Sequence, residues 1–210
     1  IKLRKLFLPE VETIGYGFLK YNRDMEELSL PKVKTMGDNV LSSNRKLKKL
    51  YMPEVEEIGD YFLKENEDME ELSLPKVKTI GWNVLSSNSK LEKLYLPEAE
   101  IIDNYFLANN QEMEELYMPK VKTIGCKVLS SNRKLQKLFL PVVKTISSSF
   151  LNHNEDMEEL YMPKVKTIGW NVLSSNRKLK KLYMPEVETI GDHCLEENED
   201  IEELYMPKIK

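Results

Sequence analysis

Residues 66–85 read N-E-D-M-E-E-L-S-L-P-K-V-K-T-I-G-W-N-V-L, and Met69, Leu72, Leu74, Val77, Ile80, Val84 and Leu85 form the apolar ladder of that stretch. Leu72 and Leu74 alternate with polar neighbours at period two, which predicts a short strand with one face inward. Pro75 ends the strand, because proline lacks the N–H that a continuing ladder needs. Gly81 then predicts a turn with positive φ, and Trp82 to Leu85 predict one helical or 3-10 turn before Asn88.

The same stretch recurs along the whole chain. All ten prolines, from Pro9 to Pro207, fall 22 residues apart. Asparagine keeps the frame without exception at Asn22, Asn44, Asn66, Asn88, Asn110, Asn132, Asn154, Asn176 and Asn198. A unit this short cannot bury its apolar face alone, so successive coils stack and share one core. The 210 residues are therefore a single solenoid, 1–210, of nine 22-residue units and a fragment of a tenth. Coils about 4.8 Å apart predict a parallel sheet of about ten short strands, roughly 45 Å long. The asparagine column is expected to form a structural ladder, each amide bonding the backbone of successive turns.

Ile58 to Pro75, I-G-x-x-F-L-x-x-N-x-x-M-x-x-L-x-L-P, resembles the BspA-like leucine-rich repeat, whose pattern is close to I-G-x-x-A-F-x-x-C-x-x-L-x-x-I-x-I-P. The resemblance covers the whole chain, with Asn where that family usually has Cys and a repeat one residue shorter. It implies an α/β-type leucine-rich repeat solenoid: a parallel concave sheet with short helical or 3-10 turns on the convex side. It also implies a secreted or surface-attached recognition or adhesion module, and so an extracellular or cell-surface location.

Charge carries a second period. Successive units from Pro9 have formal net charges of −3, +5, −8, +3, −6, +6, −3, +6 and −9, so the true repeat is 44 residues. Before the second strand leucine stand Lys5, Glu27, Lys49, Glu71, Lys93, Glu115, Lys137, Glu159, Lys181 and Glu203, each between opposite charges on neighbouring strands. The total balance is only −4, with 31 basic and 35 acidic residues. No overall field draws the chain to nucleic acid or to an anionic membrane. The longest apolar runs are three or four residues and the chain opens I-K-L-R-K-L, so neither a membrane insertion nor an apolar leader is expected.

The chemical inventory argues against an enzyme. His153 and His193 are the only histidines, no metalloprotease, dinucleotide, P-loop or nucleophile-elbow string is present, and no cofactor or metal is expected. His193 and Cys194 are adjacent, but Cys194 occupies the slot of Phe18, Val40, Phe62 and Val84 and reads as a core residue. Cys126 lies three repeats away, too far for a disulfide. Acidic runs such as Glu65 to Glu71 and Glu196 to Asp200 lack the calcium-loop glycine and spacing and read as solvated faces. Unit five departs from the pattern at Ala99, Ile101 and Asp103, and unit seven at Val142 and Ser147 to Ser149; both departures read as drift, with a local bend or contact site as the alternative.

Between the two strand leucines runs the column Phe7, Ser29, Tyr51, Ser73, Tyr95, Tyr117, Phe139, Tyr161, Tyr183 and Tyr205. Leucines pointing inward force these residues outward. Tyr51, Tyr95, Tyr117, Phe139, Tyr161, Tyr183 and Tyr205 are the expected contacts of a protein partner, as one exposed stripe on the concave face, the other reading being that stacked rings simply stabilise neighbouring strands. The alternative is an idealised or structural array without an evolved ligand, a designed protein or a segment of a longer shaft. Uncapped ladder residues at Leu3, Leu6 and Leu8 and at Leu204, Met206 and Ile209 predict end-to-end self-association or a missing flanking domain.

Overall fold

A computed structural model describes residues 2–209 and winds them into stacked coils. Each coil contributes two strands: a three-residue strand, from Lys5–Phe7 in the first coil to Glu203–Tyr205 in the last, and a two-residue strand after the proline, from Thr13–Ile14 to Thr189–Ile190. All pairing is parallel and in a register of 22, as in Leu28↔Leu50 and Ile80↔Ile102. The short second strand, Thr-Ile in most coils, puts its threonine outside and its isoleucine in the core.

The core runs the length of the stack. In the coil read first, none of Met69, Leu72, Leu74, Val77, Ile80, Val84 and Leu85 is more than 2% exposed. Each coil's ladder meets those of its neighbours, so the apolar area that one unit cannot cover is covered by the next. Cys194 packs against this core, as its slot predicts.

Three expectations need correction. The first concerns the outer turn: among the described residues there is no helix, α or 3-10. Alternate residues adopt left-handed backbone instead, as at Asn83 (φ 59°), Leu85 (φ 56°) and Ser87 (φ 59°). Their amides point alternately to the two neighbouring coils: Asn83 N–H donates to Asn104 O, Leu85 N–H to Phe62 O and Ser87 N–H to Ala108 O. An amide bonded to a neighbouring coil is unavailable for a helical bond four residues back, which is why this solenoid is built of strands and turns alone.

The second correction concerns Gly81, which has no positive φ. A Cβ there would sit 2.6 Å from Asp60 Oδ1 and 2.8 Å from the Gly59 carbonyl carbon. Glycine is needed because two coils touch backbone to backbone, not because the chain turns.

The third concerns the sheet of first strands, expected as one surface of ten. It is divided into blocks of three, three and four strands, with breaks between Lys49–Tyr51 and Glu71–Ser73 and between Glu115–Tyr117 and Lys137–Phe139. The nine second strands form one unbroken sheet. Across both breaks the outer turns also stay bonded, through Tyr61 N–H to Trp82 O and Lys127 N–H to Ser148 O. Three-residue strands carry few ladder bonds, so coils part there while two other sides keep their register. Leu50 and Leu116, beside the two breaks, are only half-buried where most of their counterparts are buried.

Candidate functional site

The strand Lys137-Leu138-Phe139 buries its leucine and exposes both neighbours, and the next three strands pair with it in register, burying Leu160 and Leu182 while Leu204, in the last strand, is exposed. Phe139, Tyr161, Tyr183 and Tyr205 thereby stand in one row. Their rings stack with centroids 5.1, 4.6 and 5.2 Å apart, and the planes of the last two pairs lie within 6° of parallel. Phe139, Tyr161 and Tyr205 are exposed by 55%, 40% and 51%, whereas Tyr183 is half-covered by its neighbours. That covering pushes the Tyr183 phenol up, with the flanking Tyr161 and Tyr205 adding to the shift, so its hydroxyl stays protonated as a donor.

Charged pairs edge this row. Lys137 Nζ lies 3.0 Å from Glu159, and Lys181 Nζ lies 3.1 Å from Glu203. An open groove of about 520 Å³ runs over the rings and is floored by Leu116, Leu138, Leu160 and Leu182. The arrangement offers flat apolar area, hydroxyl tips and a rim of both signs.

The other residues of the aromatic column are placed differently. Tyr95 is half-buried and its hydroxyl donates to Glu115 Oε2 at 3.2 Å, which raises its phenol. Tyr117 is exposed at the second break and Tyr51 at the first, and neither joins a ring stack. Ser29 and Ser73 replace rings on either side of Tyr51, and a groove of about 820 Å³ opens there, crossed by Lys5, Glu27, Lys49 and Glu71. The two serines are the signal in the sequence that marks this opening.

A second aromatic group lies on the outer turns, where Trp82 meets Tyr61 edge-on at 4.9 Å and Tyr105 at 6.1 Å. Lys64 and Lys127 lie over the tyrosine rings.

Asparagine side chains line the interior beside the outer turns. Nδ2 of Asn44, Asn66, Asn88, Asn110, Asn132, Asn154, Asn176 and Asn198 donates to a leucine carbonyl of the preceding coil. Asn88 and Asn110 also accept, through Oδ1, the N–H of the asparagine one coil back. Asn22, in the first coil, is half-buried and makes no side-chain bond among the described residues.

The remaining reactive groups are not brought together. Cys194 Sγ contacts Gly169 O at 2.9 Å and burial pushes its thiol up, while His193 turns to Glu196. Cys126 is exposed and Cys194 half-buried, and both are free. Among the described residues no group of three or more His, Cys, Asp and Glu is placed to hold a metal, and no helix is long and apolar enough to cross a membrane.

Comparison with known proteins follows the repeat. A leucine-rich repeat protein from Bacteroides ovatus has a similar solved structure, with 14% identity, a TM-score of 0.45, and coverage of 92% of this chain and 72% of that one. A leucine rich cell surface protein from Faecalibacterium prausnitzii matches with 12% identity, a TM-score of 0.38, and coverage of 90% and 81%. No curated protein matches the chain. The BspA type leucine rich repeat region matches residues 1–114 and 99–210 in six copies. With that region matched from end to end, the chain belongs to the BspA type leucine-rich repeat family.

Proposed function

We propose that this chain is a non-catalytic protein-binding or adhesion module, acting outside the cell or at its surface, that engages its partner with the row Phe139, Tyr161, Tyr183 and Tyr205. Leucine-rich repeat proteins typically bind other proteins, and family membership supports that class. One observation carries the choice of face: four rings stack in a row, three of them exposed and Tyr183 half-covered, beside Lys–Glu ion pairs. Such rings present large contact area at little entropic cost, and the mixed rim suits a partner of mixed charge. Tyr51, Tyr95 and Tyr117 extend the contact along the same face.

The test is capture of a protein partner from extracellular-matrix extract. Tyr161→Ser with Tyr183→Ser should abolish capture while Tyr51→Ser keeps most of it and all variants melt cooperatively. Equal capture by the double variant moves the site off this face. No specific capture by the wild type favours the alternative, a structural array without a ligand, which the identity of residues 75–88 with 163–176 also favours.

A further inference from the structure

On the face carrying the second strands, charge alternates from coil to coil until unit seven. Three residues after each proline stand Glu12, Lys34, Glu56, Lys78, Glu100, Lys122, Lys144, Lys166 and Glu188. Lysines in the regular part of this ribbon have carboxylates: Lys34 with Glu12, Lys78 with Glu56 and Lys122 with Glu100, at 3.2, 2.7 and 2.7 Å. Lys144 takes the place of the glutamate that alternation demands, and Val142 takes the place of a second one. Among the described residues no carboxylate lies within 4 Å of the ammonium of Lys144 or of Lys164, because Glu186 is held by Lys208.

The register sets Lys122, Lys144 and Lys166 in adjacent coils, each directly before a paired strand residue, Thr123↔Thr145↔Thr167. All three lysines and all three threonines are exposed. Their spacing is that of neighbouring strands, about 4.8 Å. Like charges on adjacent rungs repel, and an oxyanion seated between two ammonium groups relieves that repulsion.

We propose that this ribbon binds a sulfated polysaccharide, its sulfate groups on Lys144 and Lys164, which face no carboxylate, with Lys122, paired to Glu100 at 2.7 Å, and Lys166, 3.9 Å from Glu188, flanking them and threonine hydroxyls supplying hydrogen bonds. Two features select that ligand among polyanions. The basic stretch is short, closed at one end by Glu98 and Glu100 and at the other by Glu186 and Glu188, so a polymer with a charge every ~1.7 Å, as in duplex DNA, runs onto glutamate. The ribbon has no aromatic ring on which a base stacks. The site lies on a different strand series from the ring row, so it stands or falls separately from the protein-binding reading.

The experiment is titration of the intact chain with a heparin octasaccharide at about 0.05 M salt, where surface charge is least screened. Wild type should bind, and Lys144→Glu, which restores the alternation, should weaken binding by about tenfold or more without lowering the melting temperature. Should Lys144→Glu fold poorly, Lys144→Gln with Lys164→Gln makes the same comparison. Lys34→Gln should bind as wild type does. Unchanged binding in the Lys144 variants, or an equal loss in Lys34→Gln, overturns the site. Equal binding of single-stranded DNA with the same number of charges, or full competition by inorganic sulfate at the same sulfate concentration, overturns the assignment to a polysaccharide.

Discussion

Asn110 and Asn132 occupy one column a coil apart, yet their amides are not equally engaged. Asn110 donates to Leu85 O and accepts the Asn88 N–H, whereas Asn132 donates to Leu107 O and Ser130 O and its Oδ1 has no partner. Asn110→Ala should therefore cost about 2 kcal/mol, and Asn132→Ala roughly 1 kcal/mol less, in denaturant midpoints. Equal losses would mean that the acceptor half of the amide contributes nothing. The outer turn supplies a second prediction at this scale. Ser131 holds φ +59° with its amide bonded to Asn152 O in the next coil. Ser131→Gly should stabilise by about 0.5–1 kcal/mol by removing the left-handed penalty, and Ser131→Val should destabilise by at least about 1 kcal/mol. Both substitutions shifting the midpoint the same way would contradict the backbone assignment. The asparagine column was legible because it never varies along the chain. The left-handed turn was not: asparagines at 39, 83 and 171 tolerate it, but leucines at 41, 85 and 173 do not advertise it. That conformation is imposed by bonds to coils on both sides, which local propensity does not carry.

Strands were read from period-two alternation, and the ten three-residue strands follow it. The second strands escaped because two residues make no pattern, although they form the longest unbroken sheet in the molecule. The two breaks in the first sheet escaped for a different reason: the leucines beside them, Leu50 and Leu116, look like all the others in sequence. Amide exchange can see what the alphabet hides. Leu30 N–H is bonded to Tyr51 O and Leu140 N–H to Tyr161 O, while the amides of Met52 and Met118, at the breaks in the same column, make no such bond. Met52 and Met118 should exchange faster than Leu30, Leu74, Leu96 and Leu140 by on the order of tenfold or more. Uniform protection across the column would mean the first sheet is continuous in solution. The second break also bears on function, because it parts Tyr117 from Phe139 and confines the continuous aromatic row to the last four coils, while Tyr51 stands between Ser29 and Ser73.

At the scale of the molecule the period of 22 prescribes architecture, and the period of 44 prescribes how neighbouring coils meet. Family, core and register were legible because every unit repeats them; the Lys144 ribbon was not, because its departure from alternation reads as drift until coils are stacked. Alternation also makes stability depend on solution conditions. Hydrogen bonds from lysines in adjacent coils hold the carboxyls of Glu27, Glu56, Asp68, Glu100, Glu115 and Glu186 below their ordinary values. Their partners, among them Lys78, Lys90, Lys93 and Lys208, are raised. A carboxyl whose folded pKa is depressed contributes stability above its unfolded value, about 4, and loses it as pH falls through the lower folded value. A lysine whose folded pKa is raised contributes below its unfolded value, about 10.4, and loses that contribution as pH rises through the higher folded value. The melting temperature should therefore be level between about pH 6 and pH 9 and decline toward both pH 3 and pH 11. None of these groups is buried, so salt screens them: between about 0.05 M and 1 M sodium chloride the Debye length shrinks from more than 10 Å to about 3 Å. At the higher salt the plateau should drop and both flanks become shallower. A plateau that holds or rises in salt, with flanks of unchanged slope, would show that the ion pairs along the coils add nothing to stability and that the core and the backbone ladders hold the solenoid alone.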